Sequence, residues 1–167
     1  IEQDKKTLAS NPSLNDRITN TMDMGLQWYV LGEYGRAVEW WKRGLALKPD
    51  NEVGWYNRGN AYRLLKKYPD AERAYQQSMT HARAGETNGC LSLGELYKAD
   101  MPEKKKDEPT VYFQCLIKHP NNPSLIARLA VYYRDIGDRK NALVYYQKLV
   151  ELEPGNVQAV DELRKLR

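Results

Sequence analysis

Side chains that could perform acid–base or nucleophilic chemistry are present in this sequence, but no spacing unites them into a recognisable catalytic set. The only histidines are His81 and His119, and neither belongs to a nucleophile motif with Ser or Cys. Carboxylates are scattered over predicted helix surfaces, and the glycines occupy packing or turn positions, not a phosphate-binding loop. We predict a chain that is not an enzyme and that needs no metal or other cofactor.

The composition is that of an ordinary folded protein: 167 residues, 41% of them apolar. Lys and Arg number 26 against 22 Asp and Glu, with no long block of one sign, so nucleic acid is not an expected partner. No apolar stretch approaches the length of about 18 residues that a membrane span needs, and the N-terminus lacks the apolar segment of a signal peptide. We expect a soluble chain with a weak preference for the cytoplasm. Because it begins at Ile1, it could also be the soluble part of a longer or membrane-anchored protein.

One arrangement of small and aromatic residues occurs twice in the first half of the chain. Within residues 55–75, Trp55, Gly59 and Tyr62 fall on one helical face, and Ala71 and Tyr75 mark a second amphipathic helix. A shift of 34 residues aligns Gly25 with Gly59, Trp28 with Tyr62, Tyr34 with Tyr68, Ala37 with Ala71, and Trp41 with Tyr75. The pattern predicts a repeated pair of helices joined by a tight corner.

The period and the order of these residues resemble the tetratricopeptide repeat family. Small residues at Gly59 and Ala71 would let two antiparallel helices approach, while Trp55, Tyr62 and Tyr75 would fill the volume beside them. The resemblance implies an all-α fold, a right-handed α-solenoid of about four antiparallel helix pairs with a C-terminal capping helix. We expect a single domain over residues 1–167. Its predicted parts are an N-terminal partial repeat or cap (1–17), repeats one (18–50), two (51–86), irregular three (87–122) and four (123–155), and the capping helix (156–167).

Repeat three departs from the regular spacing. Gly59 and its counterpart Ala130 are 71 residues apart, three more than two periods would give, and Glu108 stands where a small residue is expected. We therefore expect a displaced or shortened second helix. Alignment to the repeat also places Cys90 and Cys115 on facing helices, as either a disulfide or two separate small core residues. The second interpretation is favoured because free cysteine is commonly buried as a small hydrophobe.

The resemblance also implies a binding groove lined by the first helix of each pair. The candidate groove residues are Met22, Leu26, Tyr29, Tyr56, Asn57, Asn60, Arg63, Leu91, Glu95, Arg128 and Arg134. Asn57 and Asn60 could pair with an extended peptide backbone, and Arg128 and Arg134 could hold a carboxylate. The residues at these positions do not match the clamp that binds the acidic C-terminus of heat-shock chaperones, which we exclude. Trp40 lies outside the packing register and is a candidate second contact site.

We therefore predict an adaptor or scaffold that binds a peptide segment of a partner protein in this groove. The alternative is an accessory region of a larger enzyme or of a membrane-anchored assembly factor. A third possibility, an RNA-binding solenoid, would require RNA affinity that falls steeply with salt. The sequence does not identify the partner, and self-association through the solenoid ends is open.

Overall fold

A computed structural model of the protein describes residues 12–166, and the chain divides into two compact units, Ile1–His81 and Ala82–Arg167. The regular structure of the described residues consists of nine α-helices and one 3-10 helix, with no strand. The all-α fold class predicted from the sequence is therefore confirmed. The single domain and its internal boundaries stay predictions, and most of the predicted partial repeat, residues 1–11, lies outside the described residues.

The unit Ile1–His81 contains two antiparallel helix pairs. Its helices are α1 (Leu14–Val30), α2 (Tyr34–Leu47), α3 (Glu52–Leu64) and α4 (Tyr68–His81). Helix α1 packs on α2, α3 packs on α4, and α3 also packs on α2. Helix α1 begins with a capping box, in which the Ser13 hydroxyl accepts from the backbone N–H of Asp16 and the Asp16 carboxylate accepts from that of Ser13. All four tryptophans lie in this unit, at positions 28, 40, 41 and 55.

The unit Ala82–Arg167 contains two further pairs and a final helix. Its elements are α5 (Asn88–Ala99), a 3-10 helix (Pro102–Asp107), α6 (Glu108–Lys118), α7 (Pro123–Asp135), α8 (Arg139–Leu152) and α9 (Val157–Lys165). Helix α9 buries Ala159 and Leu163 against the core that α7 and α8 share. The rest of α9 is largely polar and exposed, as expected for the predicted capping helix.

Close approach within each pair depends on a small residue opposite a buried aromatic ring. A Cβ atom placed on Gly59 would lie 2.5 Å from a ring carbon of Tyr75, whose side chain is fully buried. Gly25 faces Trp41 in the same way, and Gly94 faces Tyr112. Any larger residue there would displace an aromatic ring that has no space to move. This contact confirms the packing role predicted for Gly59.

The third pair differs from the others in the way the sequence predicted. Helix α6 has 11 residues, against 14 in each of α2, α4 and α8, so the expected shortened second helix is present. Glu108 begins that helix and is 3% exposed, at the position that alanine occupies in the other pairs. The residues preceding α6 form the 3-10 helix, which accommodates much of the longer connection.

The two cysteines form a disulfide. The Sγ atoms of Cys90 in α5 and Cys115 in α6 are 2.01 Å apart, and their Cα atoms are separated by 6.2 Å. The favoured interpretation of two separate small core residues was therefore wrong. Both residues are buried, as that interpretation required, but the antiparallel pair brings the start of α5 beside the end of α6 closely enough for a bond.

Candidate functional site

In Ile1–His81 the candidate residues lie on the first helices of the two pairs, α1 and α3. Leu26 and Tyr29 are three residues apart on α1, and Tyr56 and Asn60 are four apart on α3, so each set lies on one side of its helix. Leu26 is 50% exposed, whereas the other three side chains are partly buried. We call the surface formed by Leu26, Tyr29, Tyr56, Asn57 and Asn60 the tyrosine–asparagine face.

Tyr29 is held in place by aromatic neighbours. Its ring centroid lies 5.4 Å from that of Tyr34 and 5.8 Å from that of Trp41, both in tilted arrangements. Burial raises the pKa of the Tyr29 hydroxyl, and Tyr34 and Tyr56 raise it further through charge repulsion. The influence of Tyr56 indicates that hydroxyls from α1 and α3 lie within electrostatic range of each other. The Tyr29 hydroxyl can exchange hydrogen bonds with a ligand.

Asn60 is oriented by a buried tyrosine of the adjoining helix. The Tyr75 hydroxyl donates a 2.7 Å hydrogen bond to Oδ1 of Asn60. The amide nitrogen Nδ2 forms no hydrogen bond within the described part of the chain. The amide is thereby held with its oxygen toward the core, and its two N–H donors remain for a carbonyl group. Sequence reasoning identified Asn60 but could not foresee that Tyr75 orients it.

The remaining candidates of this unit have different environments. The terminal methyl of Met22 would be 2.7 Å from a Cβ on Gly44 and 2.9 Å from one on Gly54, so this side chain packs between α2 and α3. Asn57 and Arg63 lie on α3 and are partly buried. Met22 therefore packs between helices instead of contributing an open contact.

The candidates of Ala82–Arg167 are largely engaged in ion pairs with each other or with neighbours. Arg128 on α7 pairs with Glu95 on α5 at 3.5 Å. Arg134 contacts Asp135 at 2.8 Å and Glu162 of α9 at 3.4 Å, and the hydrogen bond to Asp135 is the main cause of its raised pKa. A ligand carboxylate would have to compete with these partners. Leu91, the remaining candidate, is partly buried on α5.

Glu108 lies buried near these charges. The Tyr112 hydroxyl donates a 3.3 Å hydrogen bond to its carboxylate. Burial raises the pKa of Glu108, and the positive charges of Lys98 and Arg128 act in the opposite direction. From the sequence, Glu108 was recognised only as a packing irregularity. It stands at the position that a buried alanine occupies in the other helix pairs, and that position was the signal that a titratable group is buried here.

The histidines and the acidic residues do not form a metal-binding cluster in residues 12–166. His119 is buried, and its Nδ1 accepts a 3.3 Å hydrogen bond from the backbone N–H of Gly85, which gives it a structural role. No group of three or more His, Cys, Asp and Glu side chains in this range is arranged to hold a metal ion. Among the described helices, none combines the length and the apolar character needed to cross a membrane.

Models of one family match three segments of the chain. A model described as "TPR repeat" matches residues 25–66, and two described as "Tetratricopeptide repeat" match residues 53–83 and 123–156. Together these segments include most of the predicted repeats one and two and all of the predicted repeat four.

Several eukaryotic proteins show weaker similarity along most of the chain. RNA polymerase II-associated protein 3 of Xenopus tropicalis is 25% identical over 175 aligned residues, which cover 99% of this chain and 21% of that protein. The mouse protein of the same name is 26% identical over 148 residues, covering 86% of this chain and 16% of that protein. The chain thus spans about a fifth or less of the length of these relatives.

Solved structures share the fold. A crystal structure of MamA superposes with a TM-score of 0.69 at 18% identity, covering 91% of this chain and 81% of that one. YrrB, described as a TPR protein with an unusual peptide-binding site, superposes with a TM-score of 0.61 at 16% identity, covering 87% of this chain and 74% of that one. At these identities the likeness concerns the fold alone.

Proposed function

Because the chain belongs to the tetratricopeptide repeat family, a class of protein-interaction modules, we propose that it binds a peptide segment of a partner protein without performing chemistry on it. The proposed binding surface is the tyrosine–asparagine face of Ile1–His81. The observation that carries this proposal is the hydrogen bond from Tyr75 to Asn60, which fixes a partly buried amide with its donors unused by the described residues.

A peptide backbone supplies the groups that this surface lacks. A carbonyl of an extended segment would accept from Nδ2 of Asn60, and an apolar side chain of the same segment would pack on the exposed part of Leu26. Since Tyr75 and Trp41 already hold Asn60 and Tyr29, little side-chain entropy would be lost on binding. The face would therefore recognise the backbone of an extended peptide and would tolerate different side-chain sequences.

The candidates of Ala82–Arg167 have a separate role in the proposal. Glu95 and Arg128 form an ion pair between α5 and α7. A charged peptide would have to replace one member of that pair, because no unpaired cation is offered by these two residues. Contacts to this unit would accordingly depend on salt more than contacts to Asn60 would.

The proposal is tested by selecting random displayed peptides on the purified protein and measuring their affinity by calorimetry. Asn60→Asp keeps an oxygen that accepts from Tyr75 but removes the amide donor. We expect it to weaken the selected peptides by about tenfold, the effect of losing one well-formed hydrogen bond from a partly buried site. Asn121→Ala, in an exposed position before α7, is the matched control and should bind as the parent does.

Unchanged affinity in a folded Asn60→Asp variant would contradict the proposed surface. Asn60→Ala serves as a second variant because it removes the amide donor without introducing the negative charge of Asp. Thermal unfolding must accompany it, since that substitution also leaves the Tyr75 hydroxyl without its acceptor.

The small share of the relatives' length that the chain spans supports a second candidate function, an accessory or scaffolding region of a larger protein. In that case the chain would hold an enzymatic or membrane-anchored portion in place. Deleting this chain from the full-length protein would then abolish assembly, whereas Asn60→Asp would leave assembly intact.

A further inference from the structure

A cleft of about 470 Å³ lies between the two helices of the second pair, α3 and α4. Helix α3 contributes Trp55, Arg58 and Tyr62, which recur at intervals of three and four residues. The wall contributed by α4 consists of Asp70, Arg73, Ala74, Gln76 and Gln77. Two aromatic rings, two guanidinium groups and two amides thus surround one space.

Arg58 is fixed at the aromatic wall of this cleft. Its guanidinium carbon lies 5.5 Å from the ring centroid of Trp55 and 5.2 Å from that of Tyr62. One terminal nitrogen donates a 2.8 Å hydrogen bond to the Tyr62 hydroxyl. These contacts restrain a side chain that would otherwise lose considerable rotamer freedom on binding a ligand.

The same guanidinium is incompletely paired. Its Nε atom is buried and has no hydrogen-bond partner, which is costly for a charged donor. No carboxylate among the described residues lies within ion-pair distance of Arg58, whereas Arg73 at the opposite wall pairs with Asp70. The charges that line the cleft, two arginines and one aspartate, sum to one uncompensated positive charge.

We propose that this cleft is a second binding site, which takes the side-chain carboxylate of an aspartate or glutamate in a partner protein. A carboxylate that enters the cleft can accept from the terminal nitrogens of Arg58, since the Tyr62 hydroxyl takes only one of their four N–H groups. One carboxylate balances the single net charge of the lining. A phosphate monoester, with about 1.5 to 2 negative charges at neutral pH, would exceed it.

The site is separate from the tyrosine–asparagine face. At about 100° per residue, Trp55, Arg58 and Tyr62 lie on nearly the opposite side of α3 from Tyr56 and Asn60. Helix α3 would thus contact peptide through one side and an acidic side chain through the other.

The inference is tested by nuclear magnetic resonance of the arginine Nε–H groups. The probes are N-acetyl-glutamate α-amide and its neutral analogue N-acetyl-glutamine α-amide, added at constant ionic strength. We expect the Arg58 Nε–H signal to shift saturably with the glutamate probe and to stay in place with the glutamine probe. Equal responses to the two probes, or no saturable response, would overturn the proposal.

Variants separate this site from other arginines. Arg58→Lys keeps the charge but loses the planar pair of terminal nitrogens, and we expect it to weaken the glutamate probe about tenfold, as loss of a charge-assisted hydrogen bond does. Arg36→Gln is the matched control, since Arg36 lies over Trp28 at 4.6 Å but faces Glu33 at 4.0 Å and does not line the cleft. Probe binding unaffected by Arg58→Lys, or weakened equally by Arg36→Gln, would reject Arg58 as the ligand-binding group. Inorganic phosphate that saturates the signal at lower concentration than the glutamate probe would likewise reject a carboxylate site.

Discussion

At the scale of single residues, the fold depends on glycines that face aromatic rings. Gly59 is the clearest case, because the ring of Tyr75 occupies the space of a missing Cβ and has no room to withdraw. Glycine inside a helix costs about 1 kcal/mol relative to alanine. The closer packing of α3 on α4 must offset that cost.

Gly59→Ala should therefore lower the free energy of unfolding by about 1 to 3 kcal/mol, as overpacking a core contact does. Gly35→Ala is the control, since Gly35 is also helical but a Cβ there would meet nothing within 4 Å. That substitution should stabilise by up to about 1 kcal/mol through helix propensity. Denaturant unfolding followed by tryptophan emission measures both, and equal effects of the two substitutions would refute the steric argument.

The contact between Gly59 and Tyr75 could be predicted from residue spacing, because close packing of two helices against a large ring allows only glycine or alanine on the opposite helix. The orientation of Asn60 and the unpaired Nε of Arg58 were not predictable, since each depends on where a side chain of another helix lies. Glu108 was noticed as an exception in the register, but its buried hydrogen bond to Tyr112 required coordinates.

At the scale of secondary structure elements, three of the turns within the helix pairs are built alike. A residue with positive φ follows the first helix in each: Gly32 at 80°, Lys66 at 59° and Gly137 at 78°. In the second turn the N–H of Lys66 donates to the carbonyl of Arg63 and the N–H of Lys67 to that of Tyr62. Equivalent bonds close the other two turns. Lys66 thus adopts a conformation that glycine adopts at lower cost.

Lys66→Gly should raise the free energy of unfolding by about 1 kcal/mol, because the left-handed conformation strains a side chain with a Cβ. Gly137→Ala is the converse variant and should destabilise by a similar amount, about 1 kcal/mol. Calorimetric melting of both variants measures the effect. A lower melting temperature for Lys66→Gly would show that the gain in chain entropy on unfolding outweighs the relieved strain.

Helix boundaries were largely available from the sequence, but some of their causes were overlooked. Asn51, Asn122 and Asn156 each accept from the backbone N–H three residues later and so begin α3, α7 and α9. An asparagine before each of these helices was a readable signal that the repeat pattern alone did not use. The disulfide was harder to predict from the sequence. Two cysteines on facing helices can form a bond or simply pack together, and only the distance between them distinguishes the two cases.

At the scale of the whole molecule, the two compact units differ in how they are stabilised. The Cys90–Cys115 bond closes a separation of 25 residues inside Ala82–Arg167, and no described cysteine is free. Such bonds persist mainly in oxidising compartments, which weighs against the expected cytoplasmic location. The compartment stays a prediction.

Reduction should lower the stability of Ala82–Arg167 by about 3 kcal/mol, the chain-entropy effect of opening a loop of this length. Hydrogen exchange with mass spectrometry should show lost protection in peptides from α5 and α6, with peptides from α1 and α2 as the internal reference. The Cys90→Ala, Cys115→Ala double variant should show the same protection as the reduced protein, and added reductant should not change it. Protection in α5 and α6 that survives reduction would contradict a stabilising role for the bond.

The confinement of every tryptophan to Ile1–His81 makes the protein spectroscopically asymmetric. Fluorescence excited selectively at the indole rings comes only from Ile1–His81, so no fluorescent label is needed to distinguish the two units. The reporters are also differently placed: Trp41 is buried beside Tyr29, whereas Trp55 borders the cleft that holds Arg58. Replacing each in turn would yield an optical sensor for either side of α3, built entirely from native chromophores.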